Sequence, residues 1–293
     1  MDLDVLLNFP EMYFQIVTIN PNNYIHSLAF AELEKSLYEA FISIGIPVQR
    51  SSNILSPSRR NLIIGWHLLS ESYEHFLPQL SIIYNLEQMD PCNQVLIDRL
   101  VRLSERHIIW DYNMRNIEIL RKAGARGKIM FAPIGIMPSL RQIPINLNKD
   151  IDVLFYGSVN SRRKYILDLL KGNGINIHVA FGVYGPQRDE LISRSKIVLN
   201  LHFYDTSILE MVRLSYLFFN SKAVVSECYD NSDILIGLEN AALFSSYHGL
   251  IDACKYLLLN DSERGFLESN SFACMTHFSQ TVILKKLLTD NGF

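Results

Sequence analysis

The chain has 293 residues, 48% hydrophobic and 19% charged, with 27 Lys and Arg against 30 Asp and Glu for a net charge of −3. That composition is too apolar for a disordered chain and too mixed for a fibre, and it gives no general electrostatic attraction to nucleic acid or to an anionic membrane. The four scattered cysteines, Cys92, Cys228, Cys254 and Cys274, form no pair at metal-ligand spacing, so a reduced, cytoplasmic protein of two domains is expected.

The opening MDLDVLLNFP carries acids where a signal peptide needs bases, and the longest uncharged run, Met12 to Ala31, is broken by Pro21 and several Asn residues. Neither a leader nor a transmembrane segment is expected. Tyr13 to Ile19 is an apolar, β-branched strand that stops at Asn20-Pro21, and Ser27 to Ile44 has apolar residues at helical spacing. Gly45 ends that helix, and Ile46-Pro47-Val48 starts another extended piece. Further strands are expected at Asn61 to Ile64, Leu80 to Tyr84 and His107 to Trp110, with Asp111 as N-cap of a helix from Tyr112 to Leu120. Pro133 to Lys149 holds three prolines and little periodicity, so the boundary between domains is placed near residue 145.

The pattern then restarts. IDVLFYG at Ile151 reads as a buried strand, Arg162 to Leu170 as a helix and Ile175 to Phe181 as a strand. After these come a helix from Gln187 to Ser195, a strand from Ile197 to Leu201, a helix from Ile208 to Phe219, and strands at Ala223 to Ser226 and Ala242 to Phe244. Gly249 to Leu259 and Glu263 to Leu288 carry two apolar helical stripes. Alternation of strand and helix predicts an α/β fold of two doubly wound, Rossmann-like domains, residues 1–145 and 146–293, each a parallel sheet covered on both faces.

In such sheets ligands bind outside the carboxyl ends of the strands. The residues that follow strands are Asn20, Asn23 and His26; Gly65-Trp66-His67; Asn85, Glu87 and Gln88; and Asp111-Tyr112. In the second half they are Tyr156-Gly157-Ser158 with Arg162 and Arg163, Gly182 to Gly185, His202 to Glu210, and Glu227. Gly157 would let a backbone approach phosphate, Ser158 would donate a hydroxyl, and Arg162 or Arg163 would neutralise charge at a helix start. There is no G-x-G-x-x-G and no G-x-x-x-x-G-K-[ST].

The strings GWHLL, IIYNLEQ, IIWDYNMRNIEIL and PIGIMPSL, then DVLFYGSVNSRR and SKIVLNLHFYDTSILEMVRLSYLFFNSKAVVSE, resemble bacterial nucleotide-sugar glycosyltransferases of the GT-B architecture, in particular the CgeB-like and group 1 type glycosyltransferases. The resemblance implies a nucleotide diphosphate-sugar held mainly by the second domain, an acceptor bound by the first, and a final helix that crosses back to the first domain. Retaining members show a Glu, seven residues, and a second Glu that opens a helix and binds the donor ribose. Here Glu210 matches the second and His202 stands at the first, which leaves the stereochemical outcome open.

The donor-binding residues expected on this basis are Tyr156, Gly157, Ser158, Arg162, Arg163, Tyr184, His202, Tyr204 and Glu210, with Tyr184 and Phe203-Tyr204 able to stack on a nucleobase or to pack in the core. Transfer needs a base for the acceptor hydroxyl. His26 is the leading candidate, with Asn22 and Asn23 to orient substrate, and His67 and Glu87 come second. No metal or cofactor is expected, since Asp150-Ile151-Asp152 precedes its strand and so lies at the wrong end of the sheet. The acceptor, whether glycan, small molecule, protein or modified nucleic acid, is open. A nucleotide-sugar epimerase and a catalytically silent relative that binds a sugar nucleotide or a partner are the other readings.

Overall fold

The structure, a computed structural model, describes residues 13–79, 81–205, 208–230 and 234–293. The MDLDVLLNFP opening, the Asn23 side chain and the first residue of the expected Leu80 strand lie outside the described residues. In chain order the elements are β1 (Phe14–Thr18), α1 (Ala31–Ser43), β2 (Val48–Ser52), β3 (Arg60–Ile64), α2 (Glu71–Glu74), β4 (Ser81–Asn85), α3 (Gln94–Ser104), β5 (Ile108–Asp111), α4 (Met114–Lys122) and β6 (Ile129–Phe131). There follow β7 (Ile151–Tyr156), α5 (Ser161–Gly172), β8 (Ile177–Ala180), α6 (Gly185–Arg194), β9 (Ser195–Asn200), α7 (Met211–Phe219), β10 (Val224–Glu227), β11 (Leu243–Ser245), α8 (Leu250–Leu259), α9 (Asp261–Thr276) and α10 (Gln280–Asn291).

The chain divides into two compact units. The first is residues 1–137 with 279–293 and the second is 138–278. The changeover falls at 137/138 rather than near 145, because residues 140–143 are tied into the second unit. Asn220, at the end of α7, accepts the Gln142 and Ile143 N–H groups at 2.9 Å each and donates to the Leu140 carbonyl at 2.9 Å. The expected helical stripe from Glu263 to Leu288 is two helices, α9 in the second unit and α10 in the first.

The first unit is a six-stranded parallel sheet in the order β2-β1-β3-β4-β5-β6. Strands β1, β3 and β4 are buried along their whole length, as a strand covered on both faces must be, and so they read as apolar runs rather than alternations. Val17, Ile63, Ile83 and Ile109 on the sheet pack with Ile97, Leu100 and Leu103 of α3. Strand β6 is short and half-buried, which is why its residues carry no clear strand signal. The second unit is a five-stranded parallel sheet in the order β11-β10-β9-β7-β8. Val153, Phe155, Ile197, Leu199 and Val225 form its core with Ile166 and Leu170 of α5 and Leu250 and Leu257 of α8. Among the described residues no helix is long and apolar enough to cross a membrane.

Strand order reverses between β1 and β3 in the first unit and between β7 and β9 in the second. In doubly wound sheets such switch points, at the carboxyl ends of the strands, are where ligands bind.

Candidate functional site

At the switch point of the second unit, Gly157 directly follows β7 at φ +138°, a conformation that disfavours any side chain, and a Cβ there would lie 3.2 Å from Arg213 Nη2. Arg163, in the first turn of α5, is buried. It donates through Nη1 to the Ser158 carbonyl at 2.9 Å, and through Nη2 to the Leu201 carbonyl and to Glu210 Oε1, the latter at 2.8 Å. Arg213 donates to Glu210 Oε2 at 3.0 Å and to Asn200 Oδ1 at 3.2 Å, and its guanidinium lies 4.8 Å above the Tyr156 ring. Glu210 immediately precedes α7 but makes no cap bond to it. Burial pushes its pKa up, and Arg213, Arg163 and His202 more than reverse this, so it is held below the usual carboxylate range.

His202 follows β9 and is buried. Its Nε2 meets the Glu227 carbonyl at 2.9 Å, its backbone N–H donates to Glu227 Oε2 at 3.1 Å, and Nδ1 has no hydrogen-bond partner among the described residues. A carbonyl only accepts, so Nε2 carries the proton; burial keeps the ring pKa below its ordinary value, and Nδ1 is therefore a bare acceptor. Arg162 is clamped on both Glu227 oxygens, reaches Asp205 at 2.9 Å and lies 4.2 Å over the Tyr247 ring. Of the donor-binding residues expected from the sequence, Tyr156, Gly157, Ser158, Arg162, Arg163, His202 and Glu210 meet in this group. Tyr184 precedes α6 after β8, and Tyr204 packs edge-on against Phe203 at 5.0 Å. Arg213 is a member that the sequence reading does not single out, although it follows Glu210 by three residues at the start of α7.

Asp150 and Asp152 pair separately with Arg194 at 2.6 Å and Lys196 at 2.7 Å, at the amino end of the sheet. Among the described residues no three His, Cys, Asp or Glu side chains are grouped to hold a metal ion.

In the first unit, His26 lies on the 3₁₀ segment Ile25–Phe30 after β1, its ring edge-on to Tyr24 at 4.9 Å. His67 follows β3 through Gly65, which takes a left-handed φ of +75° beneath the end of β1. His67 Nδ1 lies 3.4 Å from Glu87 Oε1. Burial lowers the His67 pKa, Glu87 raises it and Arg99 lowers it. Arg99 braces the segment that follows, bonded to Glu74 Oε1 at 2.6 Å and to the Leu69 carbonyl at 2.7 Å. His67 and Glu87 are thus brought together.

Asp111 is not the helix cap expected. Asn113 caps α4 by accepting the Arg115 N–H at 2.8 Å. The Asp111 carboxylate turns inward, fully buried, and accepts from Asn85 Nδ2 at 2.6 Å, the Asn113 N–H at 2.9 Å and Asn116 Nδ2 at 3.0 Å. Burial pushes its pKa up to about 7 against those three bonds.

No protein-family model matches the chain. Three uncharacterized proteins of Acanthamoeba polyphaga mimivirus are similar in sequence. L137 is 31% identical over 61% of this chain and 24% of its own length, L140 is 27% identical over 56% and 52%, and R358 is 26% identical over 69% and 72%. The chain thus spans about a quarter of L137 and about half of L140, and these relatives are viral where the sequence suggested a bacterial protein.

Among solved structures, sucrose-phosphate synthase of Thermosynechococcus elongatus aligns at 11% identity and TM-score 0.57 over 95% of this chain and 98% of that one. Anabaena Alr3699/HepE in complex with UDP-glucose aligns at 10% and 0.61 over 96% and 99%. A point mutant of S. aureus TarM, in complex with fondaparinux, alpha-GlcNAc-glycerol and UDP, aligns at 13% and 0.60 over 88% and 58%. The chain has the α/β fold of these GT-B glycosyltransferases, two units each built on a parallel sheet.

Proposed function

We propose that the protein is a glycosyltransferase that moves a sugar from a nucleotide diphosphate-sugar to a hydroxyl-bearing acceptor without a metal ion. The observation that carries this reading is the group at the β7/β9 switch point. There the glycine backbone of Gly157, the guanidinium groups of Arg163 and Arg213, and the bare acceptor His202 Nδ1 converge. Two cations around one carboxylate leave net positive charge for a diphosphate, as basic side chains do elsewhere in place of a metal. Tyr156, Ser158, Arg162, Tyr184, Tyr204 and Glu210 complete the proposed donor-binding set.

The first unit supplies the acceptor side. His67, with Glu87 on Nδ1, takes the acceptor hydroxyl proton at Nε2 as the hydroxyl oxygen bonds to the anomeric carbon and the diphosphate leaves with its electron pair. His26, the leading base expected from the sequence, is the alternative proton acceptor, on the 3₁₀ segment after β1. The finer assignment, CgeB-like and group 1 type, rests on the sequence strings quoted above. A silent, sugar-nucleotide-binding relative is the alternative favoured by His202 at the position where a Glu is common.

The test is a thermal-shift screen against uridine, guanosine, thymidine, adenosine and cytidine diphosphates, with and without magnesium. A ligand at 100 times its dissociation constant adds about 2.7 kcal/mol. A selective, magnesium-independent response supports the proposal, and release of the diphosphate from the matching sugar nucleotide separates transferase from silent relative. No response to any diphosphate overturns it.

A further inference from the structure

Behind His67 and Glu87 lies a set of contacts that neither side chain makes directly. Asn85 Nδ2 donates to Asp111 Oδ2 at 2.6 Å and to the Glu87 carbonyl at 3.0 Å. Asn116 Nδ2 donates to Asp111 Oδ1 at 3.0 Å and to the same Glu87 carbonyl at 2.9 Å. The Glu87 peptide is therefore gripped by two amides, both anchored on one buried carboxylate. The amide oxygens are used as well. Asn85 Oδ1 accepts the Glu87 N–H at 3.2 Å and Trp66 Nε1 at 3.0 Å, and Asn116 Oδ1 accepts the Met89 N–H at 2.9 Å. Trp66 immediately precedes His67, so both members of the His67–Glu87 pair hang from Asn85.

Resting on the reading of His67 as the base, we propose that Asp111 is a positioning residue that, through Asn85 and Asn116, holds Glu87 against His67 Nδ1 so that Nε2 is presented as the proton acceptor. The physical reason is the one-sided chemistry of the group. Once ionised, above its pKa of about 7, the Asp111 carboxylate only accepts, so each amide must turn its NH₂ toward it and its oxygen toward a backbone or indole N–H. An apolar side chain of the same volume would leave the Asn85 and Asn116 amides and the Asn113 N–H without their acceptor. It would also lack the power to set the direction of two amides at once, and with it the path of residues 85–89.

The test is a titration of the His67 imidazole by NMR on ¹⁵N-histidine-labelled protein, comparing wild type, Glu87→Gln, Asp111→Asn and the double variant. Glu87 and Arg99 are the charged groups that act on His67, Glu71 and Glu74 pair with Arg99, and Asp111 itself titrates at about 7, so the tautomers are compared well above that pH, where the carboxylate is ionised. In Asp111→Asn an NH₂ faces one of the two amides, one amide flips, and the grip on Glu87 loosens. The expected result is that Glu87→Gln and Asp111→Asn both lower the His67 midpoint and reduce the Nδ1–H tautomer, while the double variant goes no lower than Glu87→Gln.

A His67 midpoint and tautomer unchanged in Asp111→Asn, while Glu87→Gln moves them, overturns the proposal, as does a Glu87→Gln variant that moves neither. If Asp111→Asn does not fold, Asn116→Ser cuts the second strut and is read in the same way. Because the readout needs no turnover, failure of the transferase reading shows separately, as wild-type coupling in a protein that releases no diphosphate from any sugar nucleotide.

Discussion

Arg163 donates through Nη2 to Glu210 Oε1 at 2.8 Å, and this one bond ties the first turn of α5 to the residue that precedes α7. With the bonds to the Ser158 and Leu201 carbonyls, a single buried guanidinium joins the ends of β7 and β9 to two helix starts. Glu210 is the anion that compensates it.

Replacing that anion by Glu210→Gln leaves Arg163 and Arg213 without a counter-charge. The expected loss is about 1 to 3 kcal/mol of folding stability, the scale of charge-assisted hydrogen bonds, read from urea midpoints at pH 7. The folded pKa is depressed, so the contribution is present above the ordinary carboxylate value of 4.5 and is lost as pH falls through the folded value. Wild type and variant should converge in acid, and a gap that stays constant down to pH 3 would remove the ion pairs as its cause.

Gly157→Ala places a methyl in a backbone conformation at φ +138°, 3.2 Å from Arg213 Nη2. A destabilisation on the order of 1 to 3 kcal/mol is expected from strain at that backbone position. If the site is the donor site, the response to the cognate diphosphate should fall as well. A variant with wild-type melting temperature and diphosphate response would show that neither the turn nor the approach of Arg213 matters there.

Asn220 makes four bonds at the end of α7, to the Gln142 and Ile143 N–H groups and to the Leu140 and Tyr216 carbonyls. Asn220→Ala should cost roughly 2 to 4 kcal/mol, since buried backbone groups lose their partners. It should also open residues 140–147 to limited proteolysis, and equal cleavage rates in variant and wild type would count against it.

His107 is buried, neither ring nitrogen has a hydrogen-bond partner among the described residues, and burial lowers its pKa to about 4. The unfolded chain therefore takes up a proton near pH 6.5 that the folded chain refuses until about pH 4, and stability from this group is full above 6.5 and drains away as pH falls. His107→Leu should be neutral or stabilising at pH 7 and should flatten the decline in melting temperature between pH 6.5 and 4. Parallel curves for the two proteins would exclude His107 as a source of the acid sensitivity.

Much of the fold is legible because buried parallel strands are dense apolar runs bounded by Gly, Pro and Asn. The β1, β4, β7 and β9 segments all announce themselves in this way. Other elements do not. β6 is three half-buried residues, too short for any period. The break between α9 and α10 is set by where the chain leaves one unit for the other, which no local pattern encodes.

At the candidate site, strand ends place the right residue types at the right edge. Pairing is the hidden part, because it is made across the sheet. His67 and Glu87 are 20 positions apart in sequence, and Asp111 resembles a cap because a carboxylate before a helix usually is one. Its burial follows from Asn85 and Asn116, on a neighbouring strand and the following helix, turning their amides inward.

The first unit is closed by residues that follow the whole of the second unit in sequence. α10 packs on α1, Gln280 accepts the Gly135 N–H at 3.0 Å and donates its own N–H to the Ile136 carbonyl at 3.0 Å, and Lys128 reaches the Asp290 carbonyl at 2.7 Å. During synthesis the whole of the second unit, residues 138–278, emerges before these partners exist. The later-made unit is then free to reach its native state first, while the earlier-made one waits with an α1 face and a Gly135 amide unmet until residues 280–291 have left the ribosome. For this chain, order of translation and order of completion run in opposite directions.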